Sequence, residues 1–522
     1  MQLRPVIASV SLLAGALVAL SGNTAQAAST RYEAESSPAV CTGTIDSDWA
    51  GYSGSGFCNG TNAVGAYAQF TVNAASAGTA TLNVRFANGT TSARPADITV
   101  NGSTATSASF EGTGAWSTWT TKTFTVPVAA GSNTIRLNPT GSAGLPNVDY
   151  LDAEVSGAAA GTVLYVSASG TDSAAGTESA PTTLTSAISR ITPGGTIYLR
   201  DGTYSYSSTV TVPAGTDGTS SARTTLSAYP GETPVLNFSA QSESSSNRGL
   251  QLNASYWHVY GIVVEHAGDN GIYVGGSNNV VERTVTRYNR DTGLQLGRIA
   301  SSTPSSQWPS NNLVLSAESH DNADSDGEDA DGFAAKLTTG TGNVFRYDVS
   351  HNNIDDGWDL YTKTDTGAIG PVTIEYSLSY NNGTLSDGTV NSNGDRNGYK
   401  LGGDDIAVNH VVQHSIAYGN GHHGFTYNSN PGTMTISNNA SIDNAERNFS
   451  FDAGTSVFRT NTSCRFSVSG SNDKTIGDAD STNQFWTGTN GSRCSSYSGA
   501  LGWSYASDGH LAVTFGGTVV TP

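Results

Sequence analysis

The sequence predicts an all-β protein: a right-handed parallel β-helix (a solenoid) preceded by a β-sandwich module. A short Gly-apolar-x-apolar segment recurs along residues 271–451, which is the mark of stacked coils. Residues 31–156 instead show alternating strands separated by Gly, Asn and Ser turns, as in a sandwich. The composition agrees with both, because 61 glycines and only 13% charged residues suit a turn-rich β protein.

Residues 1–27 are typical of a secretory signal. Arg4 supplies the positive start, residues 7–20 the apolar stretch, and the small residues Ala25 and Ala27 the cleavage site. The apolar stretch is too short for a membrane helix, and no other segment approaches spanning length. We therefore expect a secreted, extracellular protein with no membrane partner.

The charge limits the class of partner. Loss of Arg4 with the signal takes the net charge from −19 to −20. Such acidity argues against nucleic acid as a partner. It also repels a polyanionic sugar unless bound cations bridge the two. We expect the chain to act as a monomer.

Four cysteines predict disulfides in an oxidising compartment. They are Cys41, Cys58, Cys464 and Cys494, which allow three pairings. Local pairing, Cys41 with Cys58 and Cys464 with Cys494, is favoured because each pair lies near one end of the chain. A zinc site is the alternative, although no Cys-x-x-Cys spacing supports it.

The module at 31–156 carries motifs of a known family. Strands are predicted at 80–86, 97–100 and 134–137, and a small-residue linker at 156–161. The motifs are Tyr32-Glu33-Ala34-Glu35, Gly54-Ser55-Gly56-Phe57, Arg85-Phe86-Ala87-Asn88-Gly89, Arg94-Pro95, Val100-Asn101-Gly102 and Asn147-Val148-Asp149-Tyr150-Leu151-Asp152. Together they resemble carbohydrate-binding modules of family 35 and their close relative family 6.

This resemblance implies two sets of residues in the module. Glu33, Glu35 and Asp152 would bind a structural calcium ion, a role that suits hard oxygen ligands. The alternative for the two glutamates is a solvated strand face. Asn88, Arg94 and Asn147 would contact the sugar, with Arg94 suited to a uronate carboxylate.

The second domain is predicted at 163–522. It opens with a helix at 181–191 that covers the exposed end of the solenoid. The helix places Leu184, Ala187, Ile188 and Ile191 on one face. Regular coils are expected up to about Asp452, and the tail beyond shows no clear repeat.

The repeated glycines mark the coils and two insertions. They are Gly271, Gly293, Gly332, Gly357, Gly398 and Gly424, with Asn448 in the seventh copy. The steps of 22, 39, 25, 41, 26 and 24 residues include two long ones. Residues 301–330 and 383–397 are therefore inserted loops that we expect to wall a cleft.

The register assigns a direction to each residue of a coil. The residues one and three after the glycine are mostly large and apolar and should point inward, while the residue between them points to solvent. An asparagine stands four residues before the glycine, or before its Asn448 substitute, in four coils: Asn289, Asn353, Asn420 and Asn444. This constant offset predicts a hydrogen-bonded asparagine ladder, whereas turn preference alone is the alternative.

Four aspartates converge in this register. Asp331 and Asp356 occupy equivalent positions on successive coils, about 4.8 Å apart. Asp355 lies at the same bend, and Asp359 points outward from the following strand. Stacked carboxylates repel unless a cation lies between them. Four oxygen ligands on one patch therefore predict a calcium site, with a solvated acidic stripe as the alternative.

Lys400 occupies the position equivalent to Asp359 on the next coil. A calcium ion one coil away disfavours the ammonium form, so the lysine pKa should fall toward that of a useful base. The alternative is a structural salt bridge between Lys400 and Asp359.

Three motifs in this region resemble one enzyme family. They are Asp331-Gly332-Phe333-Ala334-Ala335-Lys336-Leu337, Asp355-Asp356-Gly357-Trp358-Asp359 and Asn397-Gly398-Tyr399-Lys400-Leu401-Gly402-Gly403. The resemblance is to the family 9 polysaccharide lyases, which include pectate lyases, and it covers most of 163–455. It implies calcium held by Asp331, Asp355, Asp356 and Asp359, with Lys400 as base.

The implied reaction is calcium-assisted β-elimination in pectin or another uronate polysaccharide. The calcium ion would stabilise charge at the uronate carboxylate while neutral Lys400 removes the C5 proton. Arg396 or Lys336 is a candidate to hold a neighbouring carboxylate.

Two other functions remain open from the sequence. A polygalacturonase-like hydrolase is suggested by the Asp355-Asp356 pair and the Gly-His-His-Gly segment at 421–424, although no Arg-x-Lys follows. A non-catalytic adhesin is the second alternative, and it leaves the lysine and aspartates without a purpose. Endo or exo action, the uronate polymer and tolerance of methyl esters also remain open.

Overall fold

The computed structural model describes residues 29–74, 78–129, 131–157 and 162–521. The predicted signal at 1–27 lies outside these residues, as does most of the predicted linker. The described residues form two compact units, one ending at Gly157 and one following it. In the described part of the chain, no helix combines the length and apolar character needed to cross a bilayer.

The first unit is a sandwich of two antiparallel sheets. One sheet contains, in spatial order, Gly43–Asp46, Phe57–Gly60, Asn147–Gly157, Gly78–Ala87 and Thr120–Val128, with Thr30–Glu33 also paired to Asn147–Gly157. The other contains Val40–Cys41, Ala68–Ala74, Gly131–Pro139, Arg94–Val100 and Ser103–Phe110. Inward residues such as Phe70, Leu82 and Ile135 alternate with outward ones and form the core. Cys41 is bonded to Cys58, as the sequence predicts.

The second unit is a solenoid of three parallel sheets, named A, B and C in the order in which the chain first enters them. Sheet A contains Val163–Val166, Thr196–Leu199, Thr224–Ala228, Trp257–Tyr260, Val280–Glu282, Leu313–Leu315, Asn343–Arg346, Val372–Glu375, Val411–Gln413, Thr435–Ser437, Val457–Arg459 and Asp478–Ala479. Sheet B contains Thr203–Ser205, Val235–Asn237, Val263–Glu265, Val285–Arg287, Glu318–His320, Val349–His351, Leu378–Tyr380, Ile416–Tyr418, Ala440–Ile442 and Thr462–Cys464. Sheet C contains Val210–Val212, Leu250–Leu252, Ile272–Val274, Leu294–Leu296, Phe333–Ala335, Trp358–Asp359, Tyr399–Lys400, Phe425–Thr426, Phe449–Phe451 and Lys474–Thr475.

The glycine repeat marks the entry of each coil into sheet C, where a serine of sheet B approaches the backbone. A Cβ atom on Gly332 would lie 2.0 Å from Ser350 Oγ, and one on Gly357 would lie 2.1 Å from Ser379 Oγ. No side chain fits there without displacing the serine, so glycine is required at these bends.

The asparagine ladder is present and longer than the sequence predicts. Side-chain amides donate from Asn289 to Asn322, Asn322 to Asn353, Asn353 to Asn382, Asn382 to Asn420 and Asn420 to Asn444, over 2.8–3.1 Å. Asn322 and Asn382 do not lie four residues before a glycine, because the extra residues within 323–331 and 383–397 separate them from Gly332 and Gly398. The predicted first loop at 301–330 is interrupted by the regular strands Leu313–Leu315 and Glu318–His320. The loops change the spacing in sequence while the stacking in space is kept.

The two ends of the solenoid differ from the predictions. The helix is shorter, at Leu184–Arg190, because Thr183 caps it by accepting a hydrogen bond from the Ser186 backbone N–H. Its buried face joins the solenoid core, as expected. The coils continue past the predicted limit at Asp452, as far as the strand Asp478–Ala479.

The tail forms a small sheet against the solenoid. Its strands are Leu501–Tyr505, Leu511–Phe515 and Thr518–Val520, preceded by a 3-10 helix at Ser492–Tyr497; a second 3-10 helix, Ser305–Gln307, lies in the first inserted loop. Tail side chains pack on sheet B residues such as Val349 and Leu378. Cys464 is bonded to Cys494, which confirms the second predicted pairing.

Candidate active site

Sheet C carries the predicted charged row in the expected register. Asp359 pairs with Ala334 on the preceding strand and with Lys400 on the following one. The inward neighbours hold this register by stacking, since the Trp358 and Tyr399 rings lie 4.9 Å apart, centroid to centroid. Because side chains alternate along a strand, Asp359 and Lys400 must then share the outer face.

The outward residues of this row are covered, although the sequence predicts that they point to solvent. Ala334, Asp359 and Lys400 are 0%, 4% and 8% exposed. They are covered because charged groups pack on one another and because the inserted loop at 383–397 brings Asp395 against Lys400, with 2.9 Å between Lys400 Nζ and Asp395 Oδ2.

Asp331, Asp355 and Asp356 form a carboxylate cluster at the entry to sheet C. One oxygen from each lies within 4.8 Å of the others, and the three residues are at most 1% exposed. The backbone N–H of Gly332 donates to Asp356 O over 2.9 Å, which places Asp331 and Asp356 on adjacent coils. Asp359 joins them through shared lysine partners, so we refer to the four aspartates as the aspartate cluster.

Two lysines neutralise part of the aspartate cluster. Lys336 Nζ lies 2.7 Å from Asp331 Oδ2 and 3.4 Å from Asp359 Oδ2. Lys400 Nζ lies 3.3 Å from Asp356 Oδ2 and 3.8 Å from Asp359 Oδ2. The four carboxylates of the cluster against these two ammonium groups leave a formal charge of −2, and Asp395 beside Lys400 adds further negative charge. The cluster therefore retains the charge that one divalent cation would balance.

Hydrogen bonds orient the carboxylates without using all their oxygens. Asp356 Oδ1 accepts from the backbone and side-chain amides of Asn397, at 2.6 and 3.0 Å. Thr292 Oγ1 donates to Asp331 Oδ2 over 3.0 Å. Asp356 Oδ2 is buried and accepts no hydrogen bond from the described residues, and the Lys400 ammonium lies 3.3 Å from it. An oriented, buried and incompletely bonded carboxylate oxygen is a suitable ligand for a hard cation.

Burial makes the ionised carboxylates unfavourable. It raises the pKa of Asp356 to about 6, an effect that the Lys400 charge opposes. Burial and neighbouring carboxylates raise the pKa values of Asp331 and Asp355 well above the usual range for aspartate. The two lysines and the hydrogen bonds therefore do not fully compensate the cost of burying these ionised carboxylates.

The pKa of Lys400 is raised here, not lowered. Burial disfavours its ammonium form, but the carboxylates of Asp359, Asp356, Asp355 and Asp395 outweigh burial and raise the pKa above the usual value. The expected fall depends on a bound metal charge. The salt bridge between Lys400 and Asp359 that the sequence left as an alternative is present, with 3.8 Å between Nζ and Oδ2.

The remaining predicted residues of the solenoid have distinct positions. Lys336 lies inside the aspartate cluster, as described above. The aliphatic part of Arg396 lies close to Gly383 and Gly421, and its Nε has no hydrogen-bond partner among the described residues. The backbone N–H of Arg396 donates to Asp355 Oδ1 over 3.1 Å.

Three residues at the site were missed by the sequence reasoning. Thr292 and Asn397 directly precede Gly293 and Gly398, so the register that located Asp331 and Asp356 would have found them. Asp395 lies in an inserted loop, where no periodic signal exists.

The Gly-His-His-Gly segment lies on the coil after Lys400. The His423 backbone N–H donates to Asn397 Oδ1 over 3.2 Å, and His422 Nε2 lies 2.9 Å from Glu446 Oε2. Burial lowers the pKa of His423 to about 4, so this imidazole is neutral. The segment is close to the aspartate cluster in space despite its separation in sequence.

In the module, Glu33 and Glu35 converge on the loop that contains Gly54. Each has a buried Oε2 without a hydrogen-bond partner in the described chain. Asp152 instead forms a two-point ion pair with Arg31, at 2.8 and 2.9 Å. Asp149, which the sequence reasoning did not consider, is linked to Glu33 through Ser53, whose backbone N–H donates to Asp149 and whose hydroxyl donates to Glu33.

The three residues predicted to contact sugar in the module are largely buried. Asn88 is fully buried, and its amide donates to Ser92 O and Phe110 O. Arg94 and Asn147 are 8% and 4% exposed, and Arg94 donates to Leu145 O over 2.6 Å. All three side chains therefore lie beneath the surface in this conformation.

Comparison with known proteins finds relatives of both units. The family described as "Pel9A-like, right handed beta helix region" matches residues 164–462, and "Carbohydrate binding module (family 6)" matches residues 33–154. A protein of Paenibacillus polymyxa named pectate lyase L is 57% identical over 305 residues, 58% of this chain and 67% of that protein. A protein of the same name from Thermoclostridium stercorarium is 46% identical over 290 residues, 55% of this chain and 23% of that protein.

One solved structure supports the fold over most of the chain. The crystal structure of pectate lyase Pel9A has a TM-score of 0.55 and 30% identity, and the match covers 70% of this chain and 89% of that one. The chain spans two thirds of the length of the Paenibacillus relative but less than a quarter of the Thermoclostridium relative. The match in the module is to family 6, the close relative of family 35 in the resemblance above.

Proposed function

This chain belongs to the Pel9A-like family of right-handed β-helix proteins, and on this premise we propose that it is a secreted pectate lyase that cleaves uronate polysaccharides by β-elimination. Relatives named pectate lyase L match the solenoid at 57% and 46% identity. The observation that carries the proposal is the placement of Lys400 beside Asp359 on the outer face of sheet C and beside Asp356 at its entry.

We propose that Asp331, Asp355, Asp356 and Asp359 hold a calcium ion. The residual charge of −2, the raised carboxylate pKa values and the unbonded Asp356 Oδ2 all favour a divalent cation with oxygen ligands. When bound, calcium supplies a positive charge that stabilises negative charge on a uronate carboxylate.

Lys400 is the proposed base. A uronate unit carries a carboxylate next to its C5–H, and Lys400 Nζ takes this proton when the lysine is neutral. The C5–H electron pair forms the C4–C5 double bond, the C4–O bond breaks, and the leaving oxygen takes a proton from solvent. The neighbouring carboxylates raise the pKa of Lys400, and a cation held by those carboxylates would favour the neutral lysine that acts as the base.

The module is proposed to bind uronate-containing sugar. The family 6 match supports carbohydrate binding, and the buried oxygens of Glu33 and Glu35 support the predicted calcium ion there. Asp152 completes that set only if it releases Arg31, whereas Asp149 already lies close to Glu33. Secretion is proposed from the sequence of residues 1–27, and the two disulfides support it.

The test compares two lysines of the same outward row. The register runs from Lys400 through Thr426 and Ser450 to Lys474, three coils further on. With polygalacturonate and calcium, Lys400→Ala should lose about 10²- to 10⁴-fold in rate, as is usual for loss of a general base. Lys474→Ala should keep the wild-type rate.

Product identity decides between elimination and hydrolysis. An unsaturated product is detected by its ultraviolet absorbance, and it should disappear when a chelator is added. If the products are saturated reducing sugars, or if Lys400→Ala keeps the wild-type rate, the lyase proposal is wrong and the hydrolase alternative replaces it.

A further inference from the structure

A basic cavity lies beside sheet C, outside the aspartate cluster. Its volume is about 470 Å³. We define the basic pocket by six of its lining residues: Arg248, Tyr273, Gln295, Arg298, Leu337 and Lys363. Asp365 also lines it, so two arginines and one lysine face a single carboxylate in a chain whose net charge is −19.

The basic pocket is in line with the aspartate cluster along the solenoid axis. Gln295 pairs with Ala334, and Ala334 pairs with Asp359, so Gln295 lies two coils before Asp359 in the same outward row. Parallel strands about 4.8 Å apart place it about 10 Å from Asp359. Lys363 follows the strand that carries Asp359, so the pocket reaches back to the coil of the cluster.

The backbone of Arg298 is anchored while its guanidinium stays available. Tyr273 Oη donates to Arg298 O over 2.9 Å, and the Arg298 N–H donates to Thr338 Oγ1 over 3.1 Å. Among the described residues, none forms an ion pair with Arg298 or Lys363, and neither the Arg298 guanidinium nor the Lys363 ammonium donates a hydrogen bond to them, although the Asp404 carboxylate attracts Lys363. The cationic groups of the pocket outnumber its one lining carboxylate, Asp365, and are therefore suited to bind an anion from outside the chain.

The third cation serves a different role. Arg248 lies 3.4 Å above the Tyr273 ring centroid and 3.4 Å from Asp269 Oδ2. Arg248 therefore helps to hold Tyr273 in position. Arg298 and Lys363 are the cationic groups of the pocket that form no ion pair with a described residue.

We propose that the basic pocket binds a second carboxylate of the same uronate chain whose reacting unit lies at the aspartate cluster. This inference rests on the proposed function, because it takes the substrate to be a polyuronate. Every unit of such a chain carries a carboxylate, so a chain along the axis brings one to the pocket while another is at the cluster. An arginine guanidinium recognises a carboxylate through two parallel hydrogen bonds.

The proposed contact would also reduce the electrostatic repulsion between this acidic protein and an acidic polysaccharide. A strongly acidic protein repels a polyanion, and a local positive site on the binding face offsets that repulsion. Chains that reach from the cluster to the pocket should therefore bind more tightly than short ones, and the difference should depend on Arg298.

The experiment uses Arg298→Gln in the full chain, with hexagalacturonate and trigalacturonate as substrates. The matched control is Arg346→Gln, which removes an arginine from sheet A, on another face of the solenoid. We expect Arg298→Gln to raise KM for hexagalacturonate about 10-fold, the loss of one charge-assisted contact. The rise should be smaller for trigalacturonate, and kcat should fall less than KM rises.

A binding measurement separates this proposal from the proposed function. In a Lys400→Ala background, hexagalacturonate affinity is measured by calorimetry without turnover, with and without Arg298→Gln. Weaker binding in the double variant supports the pocket even if the wild-type protein releases no unsaturated product, a result that would reject only the lyase proposal. Equal affinity and equal KM in Arg298→Gln and Arg346→Gln overturn the basic pocket while leaving the lyase proposal intact.

Discussion

Replacing Asp356 by asparagine should stabilise the metal-free protein while removing its response to calcium. Asp356 Oδ1 accepts two hydrogen bonds from Asn397, and an asparagine oxygen can accept both. The change therefore keeps the shape and these bonds and removes one charge from a fully buried side chain.

The size of the expected change in the free energy of unfolding follows from the pKa of the Asp356 carboxyl group. The pKa is raised to about 6 in the folded protein, whereas an unfolded aspartate has a pKa of about 3.9. The folded state therefore holds the proton more tightly, and stability falls as pH rises between these two values. At pH 7 the ionised group destabilises the fold by about 2–3 kcal/mol, since one pKa unit corresponds to about 1.4 kcal/mol. Asparagine removes this penalty.

Urea unfolding of the full chain measures both effects. In chelator at pH 7, the free energy of unfolding of Asp356→Asn should exceed that of the wild type by about 2–3 kcal/mol. The difference should shrink below about 1 kcal/mol at pH 4, where the wild-type carboxyl is protonated. Calcium should stabilise the solenoid of the wild type through binding to the folded state, and it should leave the solenoid of Asp356→Asn nearly unchanged, while any response of the module is the same in both proteins.

Asp348→Asn is the matched control. Asp348 is also fully buried in the solenoid, and burial raises its pKa well above the usual range, but it lies outside the aspartate cluster. Its replacement should leave the calcium response at the wild-type level. If Asp356→Asn is less stable than the wild type in chelator, or gains as much from calcium, the reasoning about the aspartate cluster is refuted.

Three further predictions concern the ladder, the metal and the module. Asn353→Ala should lower the free energy of unfolding by about 3 kcal/mol, because it removes the ladder hydrogen bonds from the Asn322 amide and to the Asn382 oxygen in a buried row. Asn409→Ala, at an exposed asparagine outside the ladder, should change it by less than about 1 kcal/mol in the same urea titration, and an equal loss in both variants would contradict the ladder's role. Calcium affinity measured by calorimetry should fall as pH drops below about 6, because protons then compete for Asp356; a constant affinity between pH 7 and 5 would exclude this carboxylate as a ligand. Residues 31–156 expressed alone should bind acidic glycans on a sugar array only with calcium, and a folded module that binds none of them would reject the uronate assignment.

The sequence alone determined the architecture and the main row of charges. A glycine precedes most strands of sheet C, and at Gly293, Gly332, Gly357 and Gly424 the backbone meets a serine of sheet B, so the repeat defines the register. Once the register is known, strand alternation places Asp359 and Lys400 on one face. Pairing of the cysteines also followed from their positions near the two ends.

The ladder shows where sequence periodicity stops being informative. Asn322 and Asn382 stack with their neighbours like the other members, yet an inserted loop removes each from its expected offset. Insertions alter the count of residues and leave the spacing of coils unchanged, so only the folded chain reveals these members.

The tertiary structure alone decided the electrostatic state of the site. Lys336 follows the strand Phe333–Ala335 in sequence. Its long side chain nevertheless brings the ammonium to Asp331, which precedes that strand, and to Asp359 on the next strand of sheet C. Asp395 reaches Lys400 from a loop without any repeat. Periodicity fixes the direction of a side chain along a regular strand, whereas the protonation of Lys400 depends on every charge within a few ångströms, including groups delivered by loops and flexible side chains. The positions of Asp359 and Lys400 in one row could therefore be predicted from the sequence. The protonation state of these groups depends on neighbours that only the folded structure brings together.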